Sequence, residues 1–95
     1  MTLAVEEGST FQVSKDTHTR KFGNELVILE LSRGEYFSLD ELGARIWNEV
    51  IAGQSVQHIV VGLVADYDEP ADRLRADVIL LLEDLVGRGL LVLRA

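Results

Sequence analysis

The sequence predicts an α+β domain in which a short antiparallel meander is followed by three helices. Three observations lead there. Apolar and aromatic runs suited to a pleated, half-buried surface fall before Asp40, at Leu26–Leu31 and Tyr36–Leu39. After Asp40, apolar residues recur at helical spacing in three successive blocks. Between the halves lies Gly34-Glu35-Tyr36-Phe37-Ser38-Leu39-Asp40, which closes a turn, forms a last short strand and ends on a residue fit to cap a helix.

Residues 1–9 contain Gly8 and Ser9 and read as a loose polar lead-in. Phe11 and Val13 alternate with Gln12 and Ser14, which suggests a first strand. Lys15 to Arg20 is entirely polar and reads as a connection; Lys15, His18, Arg20 and Lys21 together form one solvated hairpin loop. Leu26 to Leu31 is a second strand with both faces covered or nearly so. Ser32, Arg33 and Gly34 turn the chain into Tyr36 to Leu39, the last strand and an edge of the resulting three-stranded sheet. An edge strand leaves backbone donors and acceptors unpaired, a template for a further strand.

Leu42, Ile46, Trp47, Val50 and Ile51 form the apolar face of the first helix, and Gly53 supplies its left-handed end. Ser55 caps a second helix carrying Val56, Ile59, Val60, Leu63 and Val64. Pro70 opens a third, with Asp68 or Glu69 as its cap, running to Val86 or Gly87. Its apolar arc is wide: Leu74, Val78, Leu81 and Leu85 make one stripe, and Arg75, Ile79, Leu82 and Val86 a second beside it. Two packed sides of a small core explain that width, and so does a groove wall beside the sheet edge. Leu90 to Leu93 is a short extended tail. A meander followed by three helices is the outline of a winged-helix-like domain.

With 95 residues the chain is one domain, 1–95, large enough for a modest core. Cysteine is absent, which excludes disulfides, thiolate metal sites and cysteine nucleophiles. The start of the chain has neither the basic residues nor the apolar run of a secretory signal, and no stretch is long enough to span a membrane. The expected location is cytoplasmic, away from membranes. A net charge of −7 opposes nucleic-acid binding, which needs Lys and Arg to neutralise phosphates. The second helix has no Arg or Lys, and Arg73, Arg75 and Arg88 of the third region are diluted by Asp72, Asp77, Glu83 and Asp84.

No reactive constellation stands out. His18 and His58 lack partners at metal-ligand spacing, so neither a metal nor a cofactor is expected. Asp66, Asp68, Glu69 and Asp72 lack the glycine and spacing of a calcium loop and suit a helix N-terminus. Ser38 and His58 sit in no nucleophile motif. A binding protein is expected, not an enzyme. Strand alternation puts Phe37 and Leu39 on one face and Tyr36 and Ser38 on the other.

One resemblance runs through these residues. Tyr36-Phe37-Ser38-Leu39-Asp40, Gly43-Ala44, Ile46-Trp47, Ser55-Val56, Ile59-Val60, Tyr67-Asp68, Asp77-Val78, Leu81-Leu82, Leu85 and Gly89-Leu90-Leu91 resemble PqqD-like proteins, the recognition elements for precursors of ribosomally made peptides. The likeness covers Leu26 to Leu93, in order and spacing. A free-standing domain of this length most resembles the leader-binding protein of lasso-peptide pathways; the peptide chaperone of quinone-cofactor biosynthesis is the alternative. The resemblance implies that a leader segment adds as an antiparallel strand to the sheet edge, with side chains entering a groove against the third helix. On this sequence Glu35, Tyr36, Phe37, Ser38 and Leu39 supply the edge. Tyr36, Arg75, Ile79 and Leu82 are groove candidates, Val86 lies at its end, and Asp72 is placed to meet a basic leader residue. The implied partners are the leader of a precursor peptide, a separate leader peptidase and a cyclase.

Overall fold

Strands precede Asp40 and helices follow it, with a last strand returning after the third helix. The computed structural model describes residues 5–94. Its elements are β1 (Phe11–Val13), β2 (Thr17–Phe22), β3 (Glu25–Glu30), β4 (Glu35–Leu39), α1 (Glu41–Ile51), α2 (Val56–Asp66), α3 (Ala71–Gly87) and β5 (Leu91–Leu93). The α+β class and the three helices are those the sequence predicts.

The sheet is not the expected one. Its three antiparallel strands are β2, β3 and β4, in that order, while β1 pairs with β5 in a separate two-stranded sheet. The polar stretch Thr17–Phe22, read from sequence as a connection and hairpin loop, is therefore a full strand in register with β3 from Thr17↔Glu30 to Phe22↔Glu25. Pairing to β3 dictates it, since its own side chains bury almost nothing. The β2–β3 loop is Gly23-Asn24, and Gly23 takes φ 60, the positive value a tight hairpin of this kind needs at its first central position. The tail predicted as extended is held: Gln12 lies opposite Val92, and Ser14 N donates to the Leu90 carbonyl.

Helix starts follow local chemistry. The Asp40 carboxylate accepts from Gly43 N at 2.8 Å, and Ser55 Oγ accepts from His58 N at 3.2 Å. Neither Asp68 nor Glu69 caps α3; Pro70 occupies that position, without a side-chain bond, because its fixed φ already suits a helix start. Gly53 stands just past the end of α1 at φ 89.

The core joins Leu26, Ile28 and Leu39 of the sheet to Ile46, Trp47 and Val50 of α1, and these to buried residues of α2 and α3. Burial on α3 falls on Leu74, Val78, Leu82 and Leu85. Leu82 thus belongs to the core and Leu81 to its border, the reverse of the two stripes read from sequence. Residues 5–9 of the expected lead-in are tied to the helices: Val5 is buried, and Gln57 N and Val56 N donate to the carbonyls of Glu7 and Ser9. Residues 1–4 lie outside the described residues. Among the described residues no helix is long and apolar enough to cross a membrane.

Candidate functional site

The site begins with the position of β4. One of its edges pairs with β3, from Leu26↔Leu39 to Glu30↔Glu35. No strand lies on its other edge among the described residues. Alternation then sorts its side chains. Leu39 is buried and Phe37 half-buried on the core side, whereas Tyr36 is 70% exposed on the outer face beside Ser38.

A groove runs beside β4, with α3 as its opposite wall. At one end a cavity of about 310 Å³ is lined by Tyr36, Phe37, Leu81, Asp84, Leu85 and Arg88, together with Ser38 and Leu39. Ser38, Leu39 and Leu81 also line a second cavity of about 500 Å³, shared with Glu25, Asp40, Leu42, Gly43, Ile46 and Asp77. The shared residues place the two cavities next to each other along the strand, as a trough in two parts. Gly43 lets α1 approach the end of β4 closely; a Cβ there would stand 3.1 Å from that of Leu39.

The Arg88 end is fixed by charge. The Arg88 guanidinium stacks over the Phe37 ring, 4.7 Å from its centroid, and its Nε donates to the Asp84 carboxylate at 3.0 Å. Arg33 in the β3–β4 turn reaches the same corner, donating to the Arg88 carbonyl just past α3. Behind Arg33 lies Glu30, only 4% exposed. Its carboxylate accepts from Ser32 Oγ, from the backbone N–H groups of Ser32 and Arg33, and from Arg33 Nε. These donors, the Ser32 hydroxyl foremost, outweigh burial and lower its pKa from 4.5 to about 2. The turn carrying β4 is thus built on a buried anion and tied to the helix it faces. Sequence reading took Glu30 as an ordinary strand residue; the signal available was the Ser-Arg pair that follows Leu31.

Of the residues expected at the site, Glu35, Tyr36, Phe37, Ser38 and Leu39 form β4, and the last four line the groove. The α3 candidates do not meet them there. At about 100° per residue, Asp77, Leu81, Asp84 and Arg88 fall on one flank of the buried stripe, and Arg75, Ile79 and Val86 on the other. Leu82 lies beneath both, fully buried. Arg75 pairs with Glu7 of the N-terminal segment at 2.7 Å and with exposed Asp72 at 3.0 Å, away from β4. The helix wall of the groove is Leu81, Asp84, Leu85 and Arg88, with Asp77 further along.

The domain is α+β, with an open strand edge facing a helix across a trough, a geometry that strand addition uses where it occurs. The chain belongs to the PqqD family: the family described as Coenzyme PQQ synthesis protein D (PqqD) matches residues 25–91, which include β3, β4, the three helices and the groove. A solved structure described as TbiB1 in complex with the TbiA(beta) leader peptide is similar at 30% identity and a TM-score of 0.79, over 84% of this chain and 93% of that one. A second, described as lasso peptide synthetase B1 complexed with the leader peptide, is 21% identical with a TM-score of 0.82, over 86% and 96% of the two chains, and speaks for the fold. No curated protein sequence matches.

Proposed function

We propose that this protein binds the leader segment of a ribosomally made precursor peptide and carries it to the enzymes of lasso-peptide maturation. The leader adds as an antiparallel strand to β4, and its side chains enter the trough against α3. Main-chain bonds supply affinity and the pockets supply selectivity. The observation that carries this reading is the coincidence of an unpaired β4 edge with a helix-walled trough in a chain 30% identical to a protein described in complex with a leader peptide. Glu35 to Leu39 provide the edge, and Leu81, Asp84, Leu85 and Arg88 the wall. The arrangement is winged-helix-like, with β2–β3–β4 as the wing.

In this reading the domain performs no chemistry; a separate leader peptidase and a cyclase act on the delivered peptide. The family description favours a second reading, a peptide chaperone of quinone-cofactor biosynthesis using the same edge.

Fluorescence anisotropy tests the proposal with the leader of a lasso-peptide precursor taken from the same genome and, beside it, the TbiA(beta) leader of the similar complex. Binding is expected in the nanomolar to low-micromolar range, about −8 to −12 kcal/mol, with no change in peptide mass on incubation. No binding at tens of micromolar overturns the leader reading. Preference for a quinone-cofactor precursor over a lasso precursor selects the second.

A further inference from the structure

The trough is electrically lopsided. At its Arg88 end the one carboxylate, Asp84, is paired by Arg88. At its other end Glu25, Asp40 and Asp77 line the larger cavity, and no Lys or Arg lines it. Among the described residues none of these three acids has a salt-bridge partner. Asp40 gives one oxygen to its helix cap; Glu25 and Asp77 are exposed at the rim. Leu39, Leu42, Ile46 and Leu81 form the apolar floor beneath them. Charges of one sign over low-dielectric walls focus their field into the cleft.

The direction of β4 converts this into an order along the ligand. The strand runs from the Arg88 end at Tyr36 towards the acidic end at Asp40. A strand added antiparallel runs the other way, so its N-terminal part meets the acids first. From Phe37 to Asp40 the distance is about 10 Å, or roughly three residues of extended chain.

We infer that this groove reads the charge order of its ligand: it selects a strand bearing Lys or Arg about three residues N-terminal to the apolar side chain opposite Phe37, and rejects Asp or Glu there. Asp77 and Glu25 determine that selectivity, and Asp40 adds to it. The inference rests on the leader-strand reading and names the class of leader that suits this chain. Exposed ion pairs are individually weak, so the combined effect is about fivefold in affinity, larger at low salt.

The test uses an array of the leader peptide used for anisotropy, in which each position in turn is Lys or Glu. It is probed with the wild-type protein, with Asp77→Lys and with Glu25→Lys. Both sites are exposed, so each variant is expected to fold, as circular dichroism checks. The wild type should lose about fivefold on Glu, but not Lys, at one or two positions N-terminal to the apolar anchors. Asp77→Lys should reverse that preference at the same positions, and Glu25→Lys should abolish it. If no peptide of the array binds the wild type, the leader reading itself falls. If peptides bind but charge is immaterial, if the sensitive positions lie C-terminal to the anchors, or if Asp77→Lys leaves the pattern unchanged, the inference falls and the leader reading stands.

Discussion

The two outer strands of the three-stranded sheet both leave one edge without a strand partner among the described residues, yet they are built differently. β4 sends Leu39 into the core and half-buries Phe37, and a helix stands across from its free edge. β2 is exposed at every residue but Thr17, which is half-buried. Lys15, Arg20 and Lys21 lie on or beside β2 and form no salt bridge among the described residues, whereas Arg33, Arg45, Arg73, Arg75 and Arg88 each pair with an acid. Charged side chains on a free edge discourage further pairing. The contrast teaches that a free edge becomes a candidate site where pockets with apolar walls accompany it. Backbone bonds alone are sequence-blind; the cavities beside β4 have Leu39, Leu42, Ile46 and Leu81 in their walls, whereas the cavity of about 240 Å³ beside Lys21 of β2 is lined by polar residues apart from Ala44.

The sharpest way to break this comparison is to ask whether β2 shares the core. Ile28, fully buried at the middle of β3, faces Phe37 on one side and Thr19 on the other. Ile28→Ala should cost about 2–5 kcal/mol in urea unfolding, from lost burial plus the cavity left behind. Thr19→Ala, on the exposed strand directly opposite, should stay within about 0.5 kcal/mol. Comparable losses would mean that β2 shares the core as β3 does, and the contrast between the two outer strands would fail.

Next in size is the division of α3 into two flanks. Leu81→Asp places a charge in the trough wall and should weaken leader binding at least tenfold, about 1.4 kcal/mol. Ile79→Asp, on the flank beside Arg75, should change it by less than about threefold, or 0.7 kcal/mol. Both residues border the core, so circular dichroism and a thermal melt must first show each variant folded. Loss of binding in the Ile79 variant alone would move the ligand to the flank that faces the N-terminal segment.

The fold was legible where its causes are local. The strand-to-helix change at Asp40, the caps at Asp40 and Ser55, the left-handed Gly53 and the buried Trp47 follow from residue chemistry and spacing. β2 was illegible because neither of its faces is buried, so it carries no apolar alternation, and its strand state comes from pairing with β3. The β4 side of the groove was legible for the same reason that β4 was. Its α3 side was not. Leu81 and Leu82 are adjacent, both apolar, and lie on a helix whose apolar arc spans core and rim. Only the direction in which β4 approaches α3 decides that Leu82 is enclosed and Leu81 faces the trough.

The smallest expected effect concerns the turn that presents β4. Glu30→Gln keeps the size of the side chain and its acceptor oxygen, and loses the charge that Ser32 and Arg33 surround. The folded protein holds this carboxyl at about 2 against an ordinary 4.5, so the folded state favours the ionised form. Its contribution to stability is therefore complete above about pH 4.5. It declines below that, because the unfolded chain takes up a proton before the folded one does, and it is gone once the pH has fallen through about 2. Urea unfolding across this range should show wild type more stable than Glu30→Gln by a constant margin near neutrality. That margin should shrink steadily between about pH 4.5 and 2. The ion pair with half-exposed Arg33 is screened, so the neutral-pH margin is modest. The more telling readout is leader affinity at neutral pH. Arg33 ties the Glu30 turn to the Arg88 carbonyl, and Arg88 stacks on Phe37. If the buried anion sets the spacing between β4 and α3, the variant binds leader more weakly even where it remains fully folded; unchanged affinity would confine Glu30 to holding the turn.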